Sequence, residues 1–353
     1  MSTQDGGLAG LDATLRHTFG WYTVSKKEFK DAIRSKGLWI LGAFFTLVFV
    51  LPVARVWWVN AAEGDGQLAQ LIQERGMQAL LSQVYLNRVT ILLPIIAIFV
   101  GYAAISKERT SGSLKLLLSL PNPRRDVLIG KVVGRCAVLG VPLVASLAFT
   151  ALFIVLSSIT FKPELFALFT LFSVLYALVF VAITVSISGA FSKSSYSGIA
   201  NFVVYMYTTF AWNLTVNSVA DVLTNGIDIG GIDTGPLIGA TVRWNLVLLL
   251  KIANPNQAYK TLVNSMLNTG DNPVLSARLQ MFGPGADTRT VCTDVLNGNV
   301  QTVQTIFGEQ VTCTAGSGGV PFYFSDPVVF VAMLAWFGIA ATLSYYTFNV
   351  VDL

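Results

Sequence analysis

Charged positions divide this chain before any other feature does. Between them lie six stretches with no Asp, Glu, Lys or Arg, at 37–54, 89–106, 136–161, 165–192, 194–220 and 327–351. A helix needs about 20 apolar residues to cross roughly 30 Å of hydrocarbon, so each stretch is a candidate span. None alternates apolar and polar with period two, and backbone groups in hydrocarbon must be satisfied within their own segment, so helices are expected rather than barrel strands. The pattern predicts an all-α polytopic membrane protein with six transmembrane helices, at 37–59, 87–106, 123–160, 164–192, 197–219 and 327–350. A tail with an interface helix precedes them (1–36). An outer loop at 60–86, with a short helix from Gln67, a cytoplasmic loop at 107–122 and a helical outer cap at 220–326 join them. A seventh apolar stretch, 236–252, contains Arg243 and Lys251. It reads as a helix lying on the outer membrane surface, with re-entrant insertion as the alternative.

Composition agrees. Of 353 residues, 54% are hydrophobic and only 12% charged, where soluble domains carry about 25% charge. That excludes an ordinary soluble enzyme, and the apolar content excludes disorder. A formal charge of +4 is too small to point to nucleic acid. The polar first twenty residues show no apolar core followed by a cleavage site, so the first span is expected to be retained as an anchor.

Lys and Arg set the orientation. Six lie before the first span (Arg16, Lys26, Lys27, Lys30, Arg34, Lys36). Seven lie between the second span and the base of the third (Lys107, Arg109, Lys115, Arg124, Arg125, Lys131, Arg135), and Lys193 follows the fourth. The opposite side has seven spread over far more residues. Both termini are therefore expected in the cytoplasm of a cell-membrane protein. The outer side permits disulfides, and Cys292 and Cys313 are candidates for a bridge there, with two free thiols as the alternative. Cys136, inside a span, reads as a packing residue.

Much chemistry is missing from the sequence. The single histidine is His17 and the six runs hold no His, Asp or Glu, which excludes intramembrane metal, Ser/His and aspartyl hydrolysis. It also argues against carriers driven by carboxylate relays. Gly130-Lys131 is not a phosphate loop, because Val132 stands where Ser or Thr is required and Arg125 where the first Gly belongs.

Two cytoplasmic segments remain. In 21–36, Tyr22, Phe29 and Ile33 recur at helical spacing with Lys27, Arg34 and other cations elsewhere on the wheel, a basic amphipathic pattern suited to the membrane surface. In 106–121, Leu114, Leu117 and Leu118 form an i, i+3, i+4 stripe before Pro121-Asn122-Pro123 restarts the chain. A short apolar-faced helix boxed by charges suits either a partner's groove or the lipid headgroups.

The run from Glu108 to Lys131 resembles the cytoplasmic loop of ABC-2-type transporter permeases. That loop has a Glu, a Gly four residues later, a small hydroxyl residue, a Leu-rich helix, a Pro, a basic pair and a Lys entering the third span. Here these are Glu108, Gly112, Ser113, Leu114–Leu118, Pro121, Arg124-Arg125 and Lys131. Residues 27–36 are similar to the same family's interface helix, and Asn254-Pro255 with Ala258-Tyr259 also fits. Within the family the chain looks most like the branch containing the permease of nitrous-oxide reductase maturation. Two departures are visible: Ser113 replaces the usual Thr, and the external region is longer.

The resemblance implies two permease copies joined to two ATP-binding subunits, which would hold the ATP and Mg; this chain needs no cofactor of its own. Glu108, Arg109, Gly112, Ser113, Leu114, Lys115, Leu117, Leu118, Pro121, Arg124 and Arg125 would make the ATPase coupling site, and Tyr22, Lys27, Phe29, Ile33 and Arg34 the interface helix. The expected function is an ABC transporter permease, an exporter. The alternative is a membrane relay that passes ATPase motion to an extracytoplasmic partner at 220–326 without moving a substrate.

Overall fold

The computed structural model describes residues 14, 19–62, 72, 76–112, 124–157, 159–226, 228–229, 232–233, 238–267, 272–282, 288–305, 308–314, 316 and 319–350. At one end of the bundle α1 (Gly20–Arg34) precedes α2 (Lys36–Ala62). The helical run α3 (Met77–Thr110) contains a π-helical stretch at Leu80–Tyr85 and a turn at 102–105. Helices α4 (Arg124–Leu156) and α5 (Pro163–Ala190) follow. Pro163 opens α5 with Glu164 in its first turn, where a missing N–H costs nothing and a carboxylate meets the positive helix end. Among the described residues five helices are long and apolar enough to span a membrane: α2, α3, α4, α5 and the last helix.

The stretch at 194–220, expected as a span, lies in α6 (194–225), which is helical throughout but passes through a π segment at Tyr207–Ala211. Asn201, Asn213 and several Ser and Thr dilute its apolar character, and it falls outside those five. Gly226, at φ +80°, ends it. This backbone conformation costs glycine nothing.

The region expected to be a helical cap is mixed. A two-stranded hairpin, β1 (Asp228–Ile229) and β2 (Ile232–Asp233), leads to α7 (Ala240–Ala253) and α8 (Pro255–Leu267). Then come α9 (Pro273–Leu279), a short helix α10 (288–295) that is π-helical from Val291, and a second antiparallel hairpin, β3 (Asn299–Thr305) with β4 (Gly308–Thr314). Asn272 caps α9, its side-chain oxygen accepting from Leu275 N at 3.0 Å, and Pro273 sits at the first helical position. The last helix, α11 (Asp326–Val350), follows a 3₁₀ turn at Phe322–Phe324. The short helix expected from Gln67 falls outside the described residues, apart from Ile72.

Helix α5 is the centre of the bundle, packed against α3, α4, α6, α8 and α11. Nearly every residue from Tyr176 to Gly189 is buried, as expected of a helix without a lipid or solvent face. Its hydroxyls bond mostly within the helix: Thr184 to Phe180 O and Ser186 to Ala182 O, both at 2.7 Å. Ser186 Oγ also reaches Ala340 O of α11 at 2.7 Å. Polar contacts of this kind hold helices together where apolar surface alone gives no preference.

The pair α7–α8 does not lie across the outside of the bundle. Its turn at Asn254 is inserted between the long helices, close to their midpoints. Trp336 Nε1 of α11 donates to Ala253 O at 2.7 Å, and Asn254 Nδ2 donates to Thr208 O, in the π segment of α6, at 2.6 Å. Tyr259 stacks on Tyr176 of α5 with ring centroids 4.5 Å apart.

Candidate functional site

At the α1 end of the bundle three elements meet on one buried lysine. The base of α4 carries Gly130 and Gly134, one helical turn apart, and α1 lies in the groove they leave. A Cβ on Gly130 would stand 2.6 Å from the Val24 Cβ, and one on Gly134 would stand 2.7 Å from the Glu28 Cβ. Side chains cannot pass at that distance, so only glycine allows this approach. The close approach places Glu28 against the next turn of α4. Its Oε1 is 3.1 Å from Lys131 Nζ and its Oε2 is 3.0 Å from Arg135 Nη2.

Lys131 also receives the end of α3. The turn at 102–105 interrupts that helix where a Cβ on Gly101 would meet Thr184 Cγ2 at 2.8 Å. The N–H groups of Ile105 and Ser106 donate instead to Ser188 Oγ of α5, at 3.1 and 3.2 Å. The chain resumes as a short helix, Ser106–Thr110. Its Glu108 Oε1 lies 2.6 Å from Lys131 Nζ, and Arg109 Nη2 donates to Gly189 O, at the end of α5, at 3.2 Å. Gly112, at φ +74°, terminates this elbow.

Lys131 is 1% exposed, against 13% for Glu28 and 27% for Glu108. A buried ammonium is strongly disfavoured without compensation, and two carboxylates supply it here. Because the partners sit on α1 and on the α3 elbow, displacement of either disturbs the other through one shared cation.

The chain matches the ABC-2 family transporter protein over residues 22–353. The chain belongs to the ABC-2 transporter family. Two curated relatives carry the name probable ABC transporter permease protein NosY. The one from Stutzerimonas stutzeri is 31% identical over 193 residues, covering 53% of this chain and 66% of the relative. The one from Pseudomonas aeruginosa is 30% identical over 186 residues, covering 50% and 62%. The chain thus spans less than two thirds of the length of either relative. The family and the apolar helices make this a multi-pass membrane protein.

In this ABC-2 chain the residues singled out for coupling divide sharply. Glu108, Arg109 and Gly112 stand at the elbow. Arg125 is exposed and adjoins Asp126, its Nε 3.7 Å from Asp126 Oδ1. Ser113, Leu114, Lys115, Leu117, Leu118 and Pro121 lie outside the described residues, and Arg124 is described by its backbone alone, as the first residue of α4. On α1, Tyr22 and Phe29 are half-buried, while Lys27, Ile33 and Arg34 are exposed. The face that packs on α4 is Val24, Ser25 and Glu28. The visible signal for the true contact was the Gly-x-x-x-Gly spacing on α4, which reads as a phosphate-loop fragment unless helix packing is considered.

A second polar centre surrounds the α7–α8 turn. Asn254 is fully buried, and its Oδ1 accepts from Asn256 N at 2.8 Å. Asn256 Nδ2 donates to Thr209 Oγ1 at 3.0 Å, and the Tyr176 hydroxyl donates to Asn256 Oδ1. Tyr259 and Ser173 share a hydrogen bond at 2.8 Å. The π segment of α6 contributes both Thr208 and Thr209, and such segments often mark functional positions because they misalign backbone groups.

Beyond it, Arg278 ties α9 to α8 and α11. Its guanidinium donates to Phe324 O at 2.7 Å, Thr261 Oγ1 at 2.7 Å and Asp326 Oδ1 at 2.6 Å. Burial pulls the Arg278 guanidinium below its usual value while the Asp326 carboxylate opposes that shift. Ser265 Oγ donates to Asp326 Oδ2 at 2.6 Å. Cys292 of α10 and Cys313 of β4 form a disulfide with Cα atoms 5.8 Å apart. Gly298 packs where a Cβ would lie within 2.8 Å of both sulfurs.

Proposed function

We propose that this chain is the transmembrane permease subunit of an ABC transporter, with its fuel burned by a separate ATP-binding subunit. The supporting observation is the junction of Glu28, Lys131 and Glu108. An elbow at the end of α3, held to α4 and α1 through one buried cation, is what a permease needs to turn a push from a soluble partner into a tilt of its helices. The stretch 113–120 carries the leucine stripe suited to that partner's groove, and Lys115, Arg124 and Arg125 would set its register electrostatically.

In this reading α6 is the sixth span, placed fifth in chain order, and both termini face the cytoplasm. Two copies of the chain pair with two ATP-binding subunits, which hold ATP and Mg. The cargo is lipid-like or amphipathic, since the spans carry no carboxylate relay, and it is exported.

A second reading draws support from the Arg278–Asp326 clamp. Rigid attachment of the outer region to α11 suits a subunit that relays ATPase motion to a partner at 220–326 without a translocated substrate. Two measurements on the complex reconstituted with its ATPase decide between these readings and test both. Glu108→Ala and Gly112→Pro are expected to lower permease-stimulated ATP turnover with normal membrane insertion; unchanged turnover in both variants overturns the coupling assignment. Flux of a fluorescent amphiphile in the wild-type complex supports the permease, and coupled turnover with no flux favours the relay.

A further inference from the structure

Prolines inside the long helices are not spread evenly. Among the described residues they stand in α2 (Pro52), α3 (Pro94) and α4 (Pro142), the three long helices joined at Lys131 directly or through α1. The prolines of α5 and α11 lie in the first turn instead, and α6 has none. A proline inside a helix offers no N–H to the carbonyl four residues before it, and in a membrane a neighbouring helix can supply the missing donor.

Helices α2 and α3 both show that repair. Pro52 leaves the Val48 carbonyl, and Arg88 Nη1 of α3 donates to it at 2.8 Å. Pro94 leaves the Thr90 carbonyl, and the Tyr176 hydroxyl of α5 reaches it at 3.2 Å. The second repair has a rival. The same hydroxyl donates to Asn256 Oδ1 of α8, and Tyr259, also on α8, stacks on the Tyr176 ring. A tyrosine hydroxyl carries one proton, so a gain at one acceptor is a loss at the other. Thr90, Tyr176 and Asn256 are all buried, so bulk water does not replace the weaker bond. One side chain thus stands between the helix that ends in the elbow and the hairpin inserted from the outer region.

We propose that Tyr176 is a positioning residue that passes motion of α3 to the α7–α8 turn, through the carbonyl that Pro94 frees. The inference rests on the coupling role of the elbow and adds the route by which the outer region responds. A displaced elbow bends α3 where the proline has removed a backbone bond. Thr90 O then moves relative to Tyr176, and the hold of the hydroxyl on Asn256 changes with it.

The test uses the complex reconstituted with its ATPase, carrying a bimane on Ser276→Cys, an exposed position of α9. Cys136 is buried and the other two cysteines are bridged, so the label goes to the introduced thiol. Trapping with ATP and vanadate is expected to change the bimane emission. Tyr176→Phe, which keeps the ring and removes the hydroxyl, is expected to cut that change about fivefold, the fold-change of one net hydrogen bond. Pro94→Ala, which returns an N–H to Thr90 O, is expected to cut it as far, and the double variant no further. Tyr259→Phe, which spares both Tyr176 bonds, is expected to keep it. No change in the native complex, a full change in Tyr176→Phe or Pro94→Ala, additive losses in the pair, or an equal loss in Tyr259→Phe overturns the proposal. Glu108→Ala, read by ATP turnover, tests the elbow separately, so the Tyr176 link can fail while the coupling assignment stands.

Discussion

Lys131 and Glu28 face each other across the glycine-lined contact of α1 with α4, Nζ to Oε1 at 3.1 Å, with Gly134 one turn along beneath the Glu28 Cβ. The ion pair and the glycine depend on one another. Without the glycine the carboxylate could not reach, and without the carboxylate the buried ammonium would be half compensated.

A double-mutant cycle measures that dependence. Lys131→Met and Glu28→Gln are each expected to lower the thermal unfolding temperature of the purified protein. Their coupling energy is expected at about 1–3 kcal/mol, the range for contacting residues in one network. Additivity within error would show that Lys131 is compensated without Glu28.

Gly134→Leu drives a side chain into Glu28 and Ser25, whereas the Cβ position of Gly140 on the same helix meets nothing within 4 Å. Overpacking costs about 1–3 kcal/mol. In Gly134→Leu a cysteine placed at Ser25 is expected to become reactive to a water-soluble maleimide, while in Gly140→Leu it stays protected. Equal labelling in both would argue that α1 is not seated in the glycine groove.

At the α7–α8 turn, Asn254→Leu takes from the Thr208 carbonyl and the Asn256 N–H the side chain that bonds them both. Unmade buried hydrogen bonds cost about 1–3 kcal/mol each. Tyr259→Phe removes a single bond to Ser173, which keeps its bond to Phe169 O at 2.7 Å. Thermal unfolding followed with a thiol-reactive dye is expected to rank Asn254→Leu well below Tyr259→Phe. The reverse order would place the anchor of the hairpin at the tyrosine.

Arg278 is expected to tolerate no neutral replacement. Arg278→Met strips Asp326, Thr261 and Phe324 O of a shared donor, and a buried group left without its hydrogen bond costs about 1–3 kcal/mol. Arg278→Lys restores charge without the fork that reaches three acceptors. Limited proteolysis should cut 255–282 first in Met, later in Lys and last in the native chain; identical patterns would show that α9 is held by apolar packing alone.

Reduction of Cys292–Cys313 frees a loop of 21-residue separation, and closing loops of this size contributes about 3 kcal/mol. Cys292→Ser with Cys313→Ser is expected to speed proteolysis of 288–316 while bundle helicity by circular dichroism holds. A matching loss of helicity would make the hairpin part of the bundle's own folding unit.

Much of the architecture was legible from residue order alone. The absence of charge over long runs marked both ends of α5 and α11 to within two residues, because the cost of burying a charge in hydrocarbon acts on each segment independently. Asn254-Pro255 announced the start of α8, and the run beginning at Glu108 announced the family, since both are local patterns. What the order of residues left open were relations between segments. That Glu28 would be the partner of Lys131, that Val24 and Ser25 would face α4, and that the α7–α8 turn would insert among the long helices depend on which surfaces meet. Those choices follow from distance and shape: a groove cut by two glycines, a π segment presenting Thr208 and Thr209, and a tyrosine pair stacked at the bundle's middle. Residue type determined the cost of leaving each group alone; only the packed chain decided which neighbour removed that cost.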